Sequence, residues 1–473
     1  MNIKSALIAA ISVALLGGAV AIPAMAADNE QFIPMTSYRV GPYAAGGTGI
    51  FGGFIDYLNL LNERDGGING VKLSYEECET EYKPDRAIEC YERLKNKGST
   101  GASMFNFVAT PPVYSTLDRT REDKIPVVSI GYGRADTSDG RVFPYVFPLV
   151  TTYWSQSTSK IRFIASQEQC LSQYKELEGK PDRAMQCYKH MQNGDLKGDG
   201  LDKLKGKKIV NLYHDSGYGK ETISILDIQA KKYGFEVVHI PVPHPGNEQQ
   251  SQWLQIRQTK PDWVILRGWG VMNPTAISQA ARIRFPADKI VGVWWSGAEE
   301  DVVPAGESAV GYIAASLNPA GDDFPALQQI KERLYKHGKG NLQDPSRIGS
   351  IYYNRGIVHG ILNTEAIRKA QEKFGKKPLT GEQVRWGLEH LEITEARLKE
   401  LGLAGMMPPL KITCEDHEGG APVRFQQWDG KKWNLVSDWI KTDQSIVRPV
   451  VEQSAAAYAK EKTITPRDCA KEG

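Results

Sequence analysis

The residues in this chain best suited to chemistry are aromatic and hydroxyl side chains set among glycines. Tyr43 and Thr48 lie in a stretch that also holds Gly46, Gly47, Gly49, Gly52 and Gly53. Tyr132 follows Gly131, Tyr218 lies between Gly217 and Gly219, and Trp269 lies between Gly268 and Gly270. Glycine turns expose main-chain N–H groups, and the rings offer flat apolar walls, so the chemistry these residues suit is ligand binding. Gly47, Gly49 and Gly52 also spell G-x-G-x-x-G, with Glu77 placed where a ribose-binding acid would stand. This window therefore reads as a small-solute loop, as a dinucleotide loop, or as a plain tight turn.

Other reaction chemistries leave no trace. There is no G-x-S-x-G, no H-E-x-x-H and no G-x-x-x-x-G-K-[ST]. His239 and His244 lack zinc-ligand spacing, and no C-x-x-C occurs. No nucleophile–base pair is visible, and neither a metal nor a cofactor is expected.

Strand and helix alternate to position these turns. A short strand runs into residues 37–54, a helix follows with Phe51, Phe54, Ile55, Leu58 and Leu61 on one side, and Gly66-Gly67 ends it. A strand at 71–77 completes a βαβ unit. Further strands are expected at 101–105, 125–130, 207–213, 235–240, 263–267, 289–295 and 310–317, with helices between them. Asp429-Gly430 marks a hairpin between 421–428 and 432–436. The class is α/β with parallel sheets, and ligands bind such sheets at the carboxyl ends of strands. Two Rossmann-like βαβ lobes with a cleft between them are the economical arrangement.

At 473 residues the chain is long enough for several domains. Residues 1–26 read as a signal peptide, with Lys4, an apolar stretch at 6–20 and an A-x-A site at Ala24-Met25-Ala26. The mature protein is expected to start near Ala27 and to be periplasmic. With 58 Lys and Arg against 56 Asp and Glu, charge gives no reason to expect nucleic acid or anionic membrane as partner. Six cysteines in an exported chain predict disulfides. Locality suggests Cys78–Cys90, Cys170–Cys187 and Cys414–Cys469. The segment 180–188 nearly repeats 83–91, and residues 167–202 read as a disulfide-closed insertion.

The order of these features resembles the type I periplasmic solute-binding proteins of ABC importers, in the branched-chain amino acid and amide/urea group. Residues 65–72, Asp-Gly-Gly-Ile-Asn-Gly-Val-Lys, match a family hallmark, and Pro84-Asp-Arg-Ala and residues 214–219 match weaker ones. The resemblance implies two lobes joined by three strands, crossing near Val150, Ser296 and Arg424. The lobes are then 27–150 with 296–424, and 151–295 with a return after 425 that leads into a tail ending at 473. First-lobe contacts carried over by position are Tyr43, Asn106, Thr110, Gly131 and Tyr132. Second-lobe contacts are Thr152, Tyr153, Tyr218 and Trp269, with Trp295 and Glu299 at the second crossing.

The family's amino acid binders place a carboxylate in the turn that corresponds to 268–273. Here that turn has none, and a buried ammonium without an acceptor is costly. Either Glu299 substitutes, or the solute is an aromatic or other organic acid or amide. The function implied is a monomeric solute receptor that closes about its hinge and delivers to an ABC permease. An exported NAD(P)-dependent oxidoreductase built on Gly47, Gly49 and Gly52, and a periplasmic sensor, are the alternatives.

Overall fold

A computed structural model describes residues 29–471; the expected signal peptide lies outside the described residues. In the first lobe β1 (Glu30–Met35) and β2 (Lys72–Glu77) pair in parallel. β3 (Val127–Val128) and β4 (Val146–Phe147) do the same. The strand expected at 101–105 joins the two pairs with little regular structure. Ser103 N donates to Phe32 O at 3.1 Å, and Phe105 bridges to Val127.

The second lobe is built on β5 (Lys208–His214), β6 (Glu236–Val242), β7 (Trp263–Arg267), β8 (Ile290–Gly292) and β9 (Ile313–Ser316), all parallel. Every residue of β7 is buried, as a parallel strand covered on both faces requires. β10 (Glu392–Ile393) and β11 (Leu410–Lys411) form a small antiparallel pair elsewhere. β12 (Arg424–Trp428) joins β9 antiparallel, and β13 (Trp433–Leu435) follows across the Asp429-Gly430 turn. The strand order of this sheet is β13-β12-β9-β8-β7-β5-β6.

Two expectations shift. Because β9 pairs with β8, the chain is still in the second-lobe sheet at Ser316, so the crossing expected near Ser296 falls after it. Asn318 then bonds Ile351 O and Arg355 of the first lobe. The helix Tyr153–Gln173 also runs on past 167, so the insertion begins inside it. The three disulfides are Cys78–Cys90, Cys170–Cys187 and Cys414–Cys469, as locality suggested.

The glycine-rich stretch is not a loop. The helix Ala44–Asp65 starts before it and contains it. The helix Ile351–Phe374 crosses at close range: a Cβ at Gly53 would sit 2.0 Å from Tyr353 O, and one at Gly356 would sit 2.0 Å from Ile50 O. Glycine is needed here to let two backbones touch, which is a packing role.

The helix Gln444–Glu461 spans both lobes. At its start Asp443 N bonds Thr158 Oγ1. Near its end Tyr458 stacks on Phe143 at 4.8 Å, and Ala455 and Ala459 pack beside Phe32 and Val127.

Candidate ligand site between the lobes

The carboxyl ends of β5 and β7 and the turn after β8 face the first lobe. Arg267 ends β7, and Gly268 and Gly270 turn the chain so that Trp269 enters the seam. After β8 the chain coils into a short 3-10 turn, Trp294–Ser296. The strand expected at 289–295 therefore ends before these tryptophans. The turn brings both indoles to the same acceptor: Trp294 Nε1 and Trp295 Nε1 donate to Gly131 O at 3.0 and 2.8 Å. Gly131 has φ of +67°, and a Cβ there would lie 2.8 Å from Trp294 Nε1. That close approach explains the glycine.

Aromatic rings from both lobes meet around this point. Tyr132 stacks on Trp295 with centroids 4.3 Å apart. Trp269 meets Trp295 edge-on at 5.4 Å and lies parallel to Tyr43 at 6.4 Å. Gly46 makes room for it, since a Cβ there would be 2.6 Å from the indole. Tyr153 sits 5.4 Å from Tyr218 and 5.8 Å from Trp294. Tyr218 donates to Gly268 O at 2.9 Å. Tyr43, Tyr132, Tyr153, Tyr218, Trp269 and Trp295 are all buried.

Four expected residues have partners of their own in the chain. Asn106 is turned into the first-lobe core, where it exchanges two amide bonds with Asn363 at 2.8 and 2.9 Å. That pair engages one donor and the acceptor of the Asn106 amide inside the first lobe. Thr152 caps the helix that follows by accepting from Ser155 N at 3.2 Å. Thr110 accepts from Gly133 N at 3.2 Å. Glu299 lies at the rim, where it accepts from Ile351 N across the seam at 2.9 Å. Burial, with the adjacent Glu300 adding to it, pushes the Glu299 carboxyl up to about 7.

Further bonds hold the lobes together. Tyr43 Oη meets His214 Nε2 at 2.8 Å. Burial pulls the His214 ring down to about 4, so it is neutral at pH 7. Glu221 takes bonds from Tyr114 and from Ala135 N, and Arg347 pairs with Glu300. A cleft of about 230 Å³ opens beside Glu221 and Tyr114. A larger one, about 1250 Å³, is lined wholly by second-lobe residues between 243 and 304 and lies away from the rings.

Sequence reasoning missed Tyr38, Tyr82, Tyr352, Asp301, Arg267 and Arg355. Tyr352 donates to Asp301 Oδ2 at 2.8 Å, and Asn273 donates to Oδ1 at 2.8 Å. Burial lifts this carboxyl to about 7. Arg267 lies over the Tyr153 ring at 3.9 Å, and its Nε and Nη2 donate to Tyr218 O. Arg355 lies over Trp295 at 4.5 Å and donates to Trp294 O and Asn318 Oδ1. The usable signal for Arg267 was its place: an arginine that ends an apolar strand just before a glycine turn.

The dinucleotide alternative loses its footing here. Gly47, Gly49 and Gly52 pack against Tyr38, Tyr352 and Leu342, and Glu77 is taken by Arg39 at 2.8 Å. Among the described residues no group of His, Cys, Asp and Glu could hold a metal, and no helix is long and apolar enough to cross a membrane.

Comparison with known proteins fits this geometry. The family pattern described as periplasmic binding protein matches residues 30–432. A crystal structure of an ABC transporter permease from the Pseudomonas fluorescens group is 47% identical over 94% of this chain and 100% of that chain, with a TM-score of 0.82. A branched-chain amino acid ABC transporter from Thermus thermophilus with bound valine is 19% identical over 89% and 99%, with a TM-score of 0.68. A solute-binding protein of an ABC transporter from R. palustris in complex with benzoate is 16% identical over 88% and 98%, with a TM-score of 0.61. At such identities the last two show the fold alone. No curated protein matches the sequence. The family implies a small-molecule ligand and a permease partner. With two α/β lobes, a seam of rings between them and a match over most of its length, the chain belongs to the periplasmic binding protein family.

Proposed function

We propose that this protein is a periplasmic solute receptor for an ABC importer. It holds a small organic solute between its lobes and presents the closed form to the permease. The supporting observation is the meeting of Tyr43 and Tyr132 of one lobe with Tyr153, Tyr218, Trp269 and Trp295 of the other. A ligand that touches both walls stabilises the closed state over the open one by its extra contacts, and that differential drives closure. Valine and benzoate, bound by two proteins of the same fold, are both carboxylates with an apolar body, a class this seam suits. The mature chain starts near Ala27 and acts as a monomer, with no part for nucleic acid or catalysis.

A thermal-shift screen of small metabolites tests the reading, because a ligand that binds only the folded protein raises its melting temperature. Small-angle scattering with a hit should show a more compact particle. A broad screen without a hit contradicts the proposal.

A further inference from the structure

Three basic side chains are buried near the seam without a carboxylate partner. Arg267 is 1% exposed, Arg355 is 1% exposed and Lys160 is 3% exposed. Among the described residues none of them forms an ion pair. Arg267 and Arg355 spend two nitrogens each on neutral acceptors, which leaves Arg267 Nη1 and Arg355 Nη2 with no partner. Trp269 Nε1, between the lobes, is also without one. Gln156, one turn before Lys160 on the same helix, has both amide atoms unpartnered.

A buried guanidinium stays protonated, so its charge has to be met by something. Elsewhere in this chain the same problem is solved internally, as where Arg183 meets Asp288 at 2.9 Å. Around the seam no carboxylate pairs with either guanidinium, and the nearby acids Asp301 and Glu221 are held by other donors. Arg267 belongs to the second lobe and Arg355 to the first, so the unmet positive charge lies on both sides of the aromatic stack. Lys160 does not add to it: burial, and then the Arg267 charge, push its ammonium well below its ordinary value, toward the neutral amine. The buried acid nearest these rings, Asp301, has its oxygens occupied by Asn273, Ala298 N and Tyr352. It is poorly placed to accept a ligand ammonium.

Resting on the receptor reading above, we infer that the solute is an ammonium-free organic anion with a flat conjugated body and acceptor groups at both ends. One end is met by Arg267 and the other by Arg355, with the rings of the seam between them. Charge-assisted bonds to guanidinium are the strong and orienting kind, so both lobes take part in reading the charge. A charged group at each end selects against amino acids, whose ammonium would face arginine.

Matched compounds test this. Benzene-1,4-dicarboxylate, benzoate, benzamide and valine are titrated against the full mature chain by calorimetry and thermal shift. The diacid is expected to bind more than tenfold more tightly than benzoate, with benzamide and valine weaker still. Arg267→Gln and Arg355→Gln should each lose at least tenfold in diacid affinity, while Arg267→Lys and Arg355→Lys retain part of it. The lysine variants also guard against a fold defect, since they keep the charge. Equal or tighter binding of benzamide or valine overturns the inference but leaves the receptor standing. The same holds if no acid binds while neutral solutes from the screen do. If neither acids nor neutral solutes bind, the receptor reading falls with it.

Discussion

Two buried polar regions of this molecule invite comparison. One lies where the C-terminal segment meets the first lobe. There Glu389 receives Arg467 Nη1 at 2.7 Å and His417 Nε2 at 3.2 Å, and His417 Nδ1 meets Val146 O at 2.8 Å. Nearby, Glu418 takes Thr152 N at 2.7 Å and Thr151 Oγ1 at 3.0 Å at the first crossing between lobes. The other region is the seam, where Arg267 and Arg355 are buried as deeply but donate only to neutral oxygens. In the first region the Glu389 charge is met by Arg467 within the chain. In the second neither guanidinium has an ion pair among the described residues. Burying a charge costs several kcal/mol unless it is paired, so a protein that keeps unpaired cations beside a ring-lined seam is spending stability on recognition.

The comparison can be broken at its strongest point. Glu389→Gln removes the carboxylate and leaves Arg467 and His417 facing a neutral amide. It should lower stability by about 3–5 kcal/mol, read by denaturant unfolding. Burial alone would raise this carboxyl, but the bonds from His417 and Arg467 outweigh it and hold it near about 2. A depressed carboxylate contributes stability above its unfolded value. That contribution should therefore fade as pH drops from about 4.3 toward 2 in the parent protein, and the variant should lack this part of the acid sensitivity.

Arg267→Gln and Arg355→Gln should behave oppositely. Removing an uncompensated buried charge costs little or helps, so the ligand-free proteins should stay within about 1 kcal/mol of the parent. A loss as large as that of Glu389→Gln would mean these arginines hold the fold.

A smaller effect sharpens the role of the rim. Glu299 is raised to about 7 where the lobes meet. If opening exposes it, its value returns toward that of a free glutamate, near 4.3. Closure then takes up a proton, because the closed form has the higher value. Ligand affinity should fall as pH rises from 5.5 to 8, by up to roughly thirtyfold, and Glu299→Gln should flatten the profile. An unchanged slope in the variant would remove Glu299 from closure.

The smallest expected change is at Tyr43→Phe. It deletes the bond to His214 across the seam, and one neutral hydrogen bond is worth about 0.5–1.5 kcal/mol. Affinity should drop several-fold with the melting temperature of the ligand-free protein nearly unchanged.

The fold was readable because parallel strands are apolar runs that end in turns, and β5 to β9 each carry that mark. The aromatic part of the site was readable for a related reason: Tyr132, Tyr218 and Trp269 stand beside glycines at strand ends, where rings are seldom core. The charged part was hidden. An arginine in a helix, such as Arg355, reads as a solvated residue until its helix is seen to pack at van der Waals range on another. The Asn106 pairing was hidden because an amide in a loop gives no hint of its partner, Asn363, far along the chain. The glycine stretch at 46–53 was misread as a loop because glycine in a helix is unfavourable on its own. Only the helix that crosses it explains the choice.

The most direct measurement sets the two regions side by side: diacid affinity and melting temperature for the parent, Arg355→Gln and Glu389→Gln. The account predicts that Arg355→Gln loses at least tenfold in affinity with little change in melting temperature, and that Glu389→Gln melts early but binds as the parent does once folded. Arg355→Gln melting early while binding normally, or both variants failing in the same way, would contradict it.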